Sequence, residues 1–334
     1  MAGFDLSFVK SHLFFKPPVP TKKFTGQTII VTGSNTGMGL EAARHIVRLD
    51  AARVILAVRN TEKGEAARKD IEKTTGRHGV IEVWELDQCH YASVQAFARR
   101  AAELDRLDVV IQNAGVFLFE HTMSEDNETT ITVNVINSMF LVLLLLPKLQ
   151  ETSVQYDKDV VATFTGSFTH AMTQFEERRA EKIFARVADK KLSDMKPGNE
   201  ERYRVSKIMQ HLLALELAAR LSASERPGAS RVIVSVVNPG WVLTDIMRSA
   251  SRSFQRMNST VGKAVARTPD EGGRILVAAA QGGKETHGRY LNNCKPGRAS
   301  AWSTSSEGLQ TQKRLWDELA VTLETVQPST MECL

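Results

Sequence analysis

Residues 26–49 read GQTIIVTGSNTGMGLEAARHIVRL, and no other segment restricts the fold of this chain as much. An apolar run from Thr28 to Val31 passes directly into Gly33, Gly37 and Gly39, and Leu40, Ala43, Ile46 and Val47 then follow at helical spacing. Lacking a Cβ, glycine lets backbone close upon a bulky anion. The N-terminus of the helix behind it offers unpaired N–H groups and the positive end of a dipole. A strand, a glycine turn and a helix in this order form a pyrophosphate cradle, here built from Gly33, Ser34, Asn35, Gly37, Met38 and Gly39. The spacing, Thr-Gly-x-x-x-Gly-x-Gly, differs from Gly-x-Gly-x-x-Gly, and the glycines alone would also suit a plain turn.

The rest of the chain repeats the rhythm. Strand-like runs recur near residues 28–32, 53–58, 80–86, 108–113, 159–165, 231–237 and 289–292. Helical stretches fall at 38–49, 61–74, 91–104, 126–150, 201–223, 269–280 and 306–325. This alternation predicts an α/β fold: a single doubly wound Rossmann-type domain, with a central parallel sheet of about seven strands flanked by helices. The 334 residues, 42% of them hydrophobic, can fill one large core. The domain is expected over 26–330, after an N-terminal extension over 1–25.

The apolar stretch from Met139 to Leu146 stops at Pro147, far short of the roughly 20 residues a bilayer span needs, and reads as a buried helix. The N-terminal segment is interrupted by Asp5, Lys10 and His12 and shows no small-residue cleavage site. A flap over the core is preferred to a membrane contact, and the expected location is cytoplasmic. Lys and Arg outnumber Asp and Glu by 43 to 38 without a dense basic run, so no nucleic-acid partner is expected. Cys89, Cys294 and Cys333 form neither a C-x-x-C pair nor a metal-ligand pattern, so no metal is expected.

Tyr203 and Lys207 stand four apart in Tyr203-Arg204-Val205-Ser206-Lys207. On a helix that spacing puts phenol and ammonium on one face. An ordinary tyrosine pKa of about 10 must fall by roughly 3 units, about 4 kcal/mol, for acid/base work near neutrality, and a nearby cation does this directly. Taken alone, the pair also suits an exposed i,i+4 contact, and Ser167, ending the apolar run DVVATFTGS, also suits a turn.

The combination is more specific. In one register stand the Thr32-to-Gly39 loop, Asp87 in WELDQ, Asn113-Ala114-Gly115, Asn134, Ser167, Tyr203 with Lys207, and Asn238-Pro239-Gly240 with Thr244. From Thr32 to about Trp316 the chain resembles the classical short-chain dehydrogenases/reductases, and among them the retinol-dehydrogenase-like reductases common in fungi. The resemblance implies that Tyr203 gives a proton to a carbonyl oxygen, or takes it back from the alcohol, while Ser167 holds that oxygen. Lys207 is then expected to lower the tyrosine pKa and bind the nicotinamide ribose. Asn134 is expected to hold a water linking the lysine to solvent, with Asn137 as the competing choice. Asp87 corresponds to a contact to adenine. Asn113, Ala114 and Gly115 correspond to a segment packing on the adenosine ribose or supporting the central strand. Pro239, Gly240, Val242 and Thr244 correspond to a stretch approaching the carboxamide and pyrophosphate. Where the family often has two serines, Gly166 takes the first place.

The second strand ends in Arg59 and Asn60, where an acidic residue would hold the ribose hydroxyls of NAD; a guanidinium there suits a 2′-phosphate, so NADP(H) is the expected cofactor. His170 is expected to be structural, and Trp241 either lines the substrate site or fills core. Ser167 and Tyr203 are 36 positions apart, more than in the simplest members of the family. The excess, roughly Met172 to Glu200, includes a helix-like FEERRAEKIFARVADKKL and is expected as a surface helix or a lid at the substrate site. In related reductases such an insertion can cover the dimerisation helices, so monomer and homodimer both stay open. The expected function is NADPH-dependent interconversion of carbonyl and alcohol on a hydrophobic small molecule, compatible with fungal secondary metabolism. The alternative is a cofactor-binding protein of the same fold with a non-redox or ligand-binding role.

Overall fold

A computed structural model of the protein describes residues 11–12, 14–190, 200–247, 262 and 265–334. Its strands are β1 (Thr28–Thr32), β2 (Arg53–Val58), β3 (Ile81–Glu85), β4 (Val109–Gln112), the pair β5 (Met123–Ser124) and β6 (Asn127–Glu128), β7 (Val160–Thr165), β8 (Val232–Asn238), β9 (Arg289–Asn292) and β10 (Lys295–Pro296). The helices used below are α1 (Gly37–Arg48), α2 (Thr61–Thr75), α3 (Tyr91–Ala102), α4 (Thr129–Gln155), α5 (Ile183–Ala188), α6 (Glu200–Ala223), α7 (Pro269–Ala280) and α8 (Ser306–Val326).

The main sheet has the order β10-β9-β8-β7-β4-β1-β2-β3, and β5 and β6 pair separately. All its pairings are parallel except β9 with β10. The sheet therefore has eight strands where about seven were expected; the added one is a two-residue exposed edge too short to leave a sequence pattern. The chain runs outward from β1 through β2 to β3, then returns to β4 on the other side of β1. Such a reversal opens a crevice at the carboxyl ends of β1 and β4.

Strand alternation divides the core into two layers. Ile29 and Val31 join Val54 and Leu56 against Ala43, Ile46 and Val47 of α1, Ile71 of α2, and Ile275 and Leu276 of α7. Ile30 faces the other way, with Ile55 and Val110, against Phe97 of α3, Phe140 and Leu143 of α4, Leu212 of α6 and Leu319 of α8. Phe24 is buried in the first layer, so packing starts ahead of β1.

α4 is the buried helix expected over 126–150, running on to Gln155 with the exposed Pro147 inside it. Its length and hydropathy would suit a membrane span, but 94% of that window is buried inside the protein, so it is a core helix. Within it, Thr132–Ile136 form a π-helical turn.

The stretch expected as one surface helix over 175–192 is broken. Glu176–Arg179 form a 3₁₀ turn and Ile183–Ala188 a short helix. Phe175, Ile183, Phe184 and Val187 are buried in the main core, and the Glu318 carboxylate accepts from the N–H groups of Ile183 and Phe184. The segment is thus held to the core, with the start of α5 tied to α8. Residues 191–199 of the expected insertion lie outside the described residues.

Candidate active site

The glycine turn after β1 is closed by contacts that exclude larger residues. Gly33 has φ +63°, and a Cβ there would stand 2.9 Å from the Ala114 Cα. At Gly39 it would stand 2.4 Å from Asn113 Nδ2 and 2.7 Å from the Gly33 carbonyl oxygen. Backbone is thus laid on backbone across the β1/β4 crevice. Asn113 ties the two strands: its Nδ2 donates to the carbonyls of Thr32 (2.9 Å) and Gly33 (3.2 Å), and its own N–H to Thr32 Oγ1. Its Oδ1 is buried without a partner.

A cleft of about 570 Å³ opens at this point. Gly33, Asn35, Gly37, Met38, Gly39, Arg59, Asp87, Asn113, Ala114, Gly115 and Thr244 all line it, so the sequence reading assembled a single surface. The volume lies within the roughly 300–1,000 Å³ usual for ligand sites. At its outer rim Arg59 is exposed, as is Lys63 one turn into α2, which the sequence reading missed. Asp87 has one carboxylate oxygen engaged by the Cys89 N–H. The glycine cradle at the start of α1, the cationic rim and the orphaned acceptor fit a phosphorylated dinucleotide.

Several expected residues stand apart from this surface. Ser34 is fully buried and donates to the Val31 carbonyl, because its side chain completes the turn instead of facing the cleft. Pro239 and Gly240 lie under the N-terminal strap. Arg267 Nη1 donates to the Pro239 carbonyl, a Cβ at Gly240 would stand 2.6 Å from His12 Nε2, and the Trp241 N–H donates to that same imidazole. Val242 bridges to Arg267, and its methyls stand 3.1 Å from where a Cβ of Gly272 on α7 would be. The described part of this segment is anchored by His12 and by Arg274 Nη1 donating to the Pro17 carbonyl, and the rest of the expected flap, residues 1–10 and 13, lies outside the described residues.

Beside the cleft, Ser167, Tyr203 and Lys207 converge. Ser167 follows β7, and its Oγ accepts from the Thr169 N–H (3.2 Å) and hydroxyl (2.9 Å). The Tyr203 phenol lies close enough to the Ser167 side chain for that hydroxyl to oppose the upward shift of its pKa. Phe117 stacks on the Tyr203 ring at 4.4 Å and 5°, and Phe119 on Phe117 at 4.9 Å, giving an apolar wall that the sequence did not reveal. Lys207 Nζ lies 5.6 Å from the Tyr203 ring centroid. A Cβ on Gly115 would come within 3.9 Å of that nitrogen, so the floor of the cleft abuts the lysine.

Electrostatics differ from the simple expectation. Burial pushes Tyr203 up to about 12, against the opposing Ser167 hydroxyl, and burial pushes Lys207 down to about 7. The lysine does not lower the tyrosine in the chain by itself. Its ammonium donates to the Thr165 carbonyl (2.8 Å) and Gln210 Oε1 (3.2 Å), and desolvation is the leading cause of both shifts.

Asn134 is buried close to Lys207. Its Oδ1 accepts from the Val116 N–H, and its Nδ2 donates to the Val116 carbonyl and Ser206 Oγ. The main-chain carbonyl accepts from Ser138 Oγ (2.8 Å) and Gln210 Nε2 (2.9 Å). Asn137, the competing choice, instead donates to the Gln88 carbonyl. His170 is structural, as expected: the Ser300 N–H donates to Nε2, so Nδ1 carries the proton and donates to the Ser167 carbonyl at 2.7 Å. Gly166 has a packing reason, since a Cβ there would stand 2.6 Å from Val236 Cγ1.

Comparison with known proteins agrees with this arrangement. Residues 27–155 match the family described as short chain dehydrogenase. The chain is 40% identical over 325 residues, 97% of its length and 84% of the other, to short-chain dehydrogenase anuD of Penicillium roqueforti. It is 39% identical over 328 residues, 97% and 98% of the two chains, to short chain dehydrogenase/reductase dmxR8 of a Cryptosporiopsis species. Among solved structures, salutaridine reductase of Papaver somniferum superposes with a TM-score of 0.59 over 80% of this chain and 99% of its own, at 18% identity. A short chain dehydrogenase of Escherichia coli complexed with NADPH does so with a TM-score of 0.57 over 82% and 99%, at 23% identity. These structural likenesses concern the fold.

Proposed function

The chain belongs to the short-chain dehydrogenase/reductase family of oxidoreductases, and from that premise we propose that it reduces a ketone or aldehyde on an apolar small molecule with NADPH. The observation that carries the reading is the convergence of Ser167 and Tyr203 beside a cleft whose floor abuts Lys207. When bound, NADPH supplies the hydride. Ser167 orients the substrate carbonyl by donating to its oxygen, and Tyr203 gives the proton that the developing alkoxide takes up. A phenol held near 12 keeps its proton at neutral pH, which suits donation and therefore reduction. Lys207 holds the nicotinamide ribose and, when charged, favours the tyrosinate left behind. Arg59, with Lys63 beside it, binds the 2′-phosphate. Phe117 and Phe119 supply an apolar wall for the substrate, consistent with a place in fungal secondary metabolism.

Calorimetric titration with NADPH and NADH, followed by NADPH oxidation on aliphatic and aromatic ketones and aldehydes, tests this reading. NADPH should bind at least about tenfold tighter than NADH, the worth of one charge-assisted contact to the extra phosphate, with turnover of an apolar carbonyl. Failure to bind either dinucleotide overturns it.

A further inference from the structure

Between Lys207 and Asn134 lies a side chain that the chemistry above does not use. Gln210 is buried, one turn beyond Lys207 on the same face of α6. Its Nε2 donates to the Asn134 carbonyl at 2.9 Å and its Oε1 accepts from Lys207 Nζ at 3.2 Å. Asn134 lies in the π-helical turn, where the Asn137 N–H reaches back five residues to the Thr132 carbonyl, and its own carbonyl also accepts from Ser138 Oγ at 2.8 Å.

The bond to Asn134 also fixes which way the amide points. Of the two ends of a carboxamide only the nitrogen can donate to a carbonyl, so the nitrogen of Gln210 must face Asn134 and its oxygen must face the lysine. Thr165 takes a second ammonium proton at 2.8 Å from the end of β7. With two N–H groups held by protein, the third is left for the cleft side, where Gly115 lies.

We propose that Gln210 is a positioning residue for Lys207: its carboxamide, oriented by the Asn134 carbonyl, favours the charged lysine and aims the remaining N–H at the cleft. Its catalytic meaning rests on the function proposed above, but the contact itself does not. Buried as it is, the ammonium depends on these two acceptors, and Lys207 titrates near neutrality, at about 7, where a change in either is readable. The other titratable groups around it are Tyr203 and His211 on α6, His170 after β7, Tyr290 on β9 against both histidines, and Glu128 with Arg202 beside the π-helical turn. On α8, Asp317 meets Arg220 in the far half of α6. The Gln210 carboxamide is hydrogen-bonded to Lys207 and Asn134.

The test is titration of Lys207 in the cofactor-free protein, followed by NMR of ε-labelled lysine and assigned by loss of its signal in Lys207→Arg. Gln210→Leu removes the acceptor and should move the midpoint down by about one unit, the worth of a hydrogen bond to a charged group. Gln210→Glu places a carboxylate at the same point and should move it up by at least about one unit. The opposite signs separate positioning from loss of packing, which would move both variants the same way. Shifts in the same direction, or none in either variant, overturn the proposal. The readout needs no turnover, so an inactive wild-type protein would refute the proposed function and leave this result standing.

Discussion

Gly166→Ser puts the resemblance and the geometry in direct opposition. Related reductases often carry a serine at this place, so restoring it looks harmless. In this chain the added Cβ would stand 2.6 Å from Val236 Cγ1, against about 3.4 Å or more for an ordinary carbon contact. Val236 cannot yield easily: it is buried, β-branched and held in β8 between β7 and β9. Relief must come from moving backbone at the end of β7, one residue before Ser167. Overpacking of this kind costs about 1–3 kcal/mol. Urea unfolding of the wild type, Gly166→Ser, Val236→Ala and the double variant would measure it. Truncating Val236 removes the atom struck, so the double variant should lose at least about 1 kcal/mol less than the two single losses together. A neutral Gly166→Ser, or strictly additive losses, would refute the steric reading.

Other outcomes follow from the same contacts. Arg59→Asp should reduce the preference for NADPH over NADH by about tenfold or more in competition titrations. His211 is buried with both ring nitrogens unpartnered and is pushed down to about 3, while an unfolded histidine takes up a proton near 6.5. The unfolded state thus binds more protons between those values, so this group costs stability as pH falls below about 6.5. His211→Phe should weaken that acid dependence in unfolding curves measured from pH 7 to 5, with stability at pH 7 maintained or raised. Glu318→Ala strips the acceptor from the Ile183 and Phe184 N–H groups and should raise hydrogen exchange there selectively.

Periodicity made the architecture legible. The alternating strands and helices, and the glycine turn at the β1/β4 reversal, follow from apolar spacing and the absence of a Cβ, both local properties. Arg59, Asp87 and Asn113 to Gly115 were likewise legible because each ends a strand at the same sheet edge. What was hidden depends on partners distant in the chain. Phe117 reads as another core aromatic until Tyr203, far along the sequence, stacks on it. Gln210 acquires meaning only once its carboxamide is seen between Asn134 and Lys207. Segment 175–188 carries helical spacing yet is broken, because Glu318 and the main core anchor its apolar residues separately. Ser34 faces inward for a local reason, its bond to the Val31 carbonyl, which composition alone does not display.

The central claim is that Tyr203 hands over the proton. Tyr203→Phe removes one oxygen and keeps the ring that stacks on Phe117. Turnover and NADPH affinity should be measured together on this variant, with a carbonyl that the wild type reduces. The account predicts a fall in kcat on the order of 10²–10⁴, the usual worth of a positioned proton donor, with NADPH binding essentially intact. Turnover at the wild-type rate in Tyr203→Phe would contradict it.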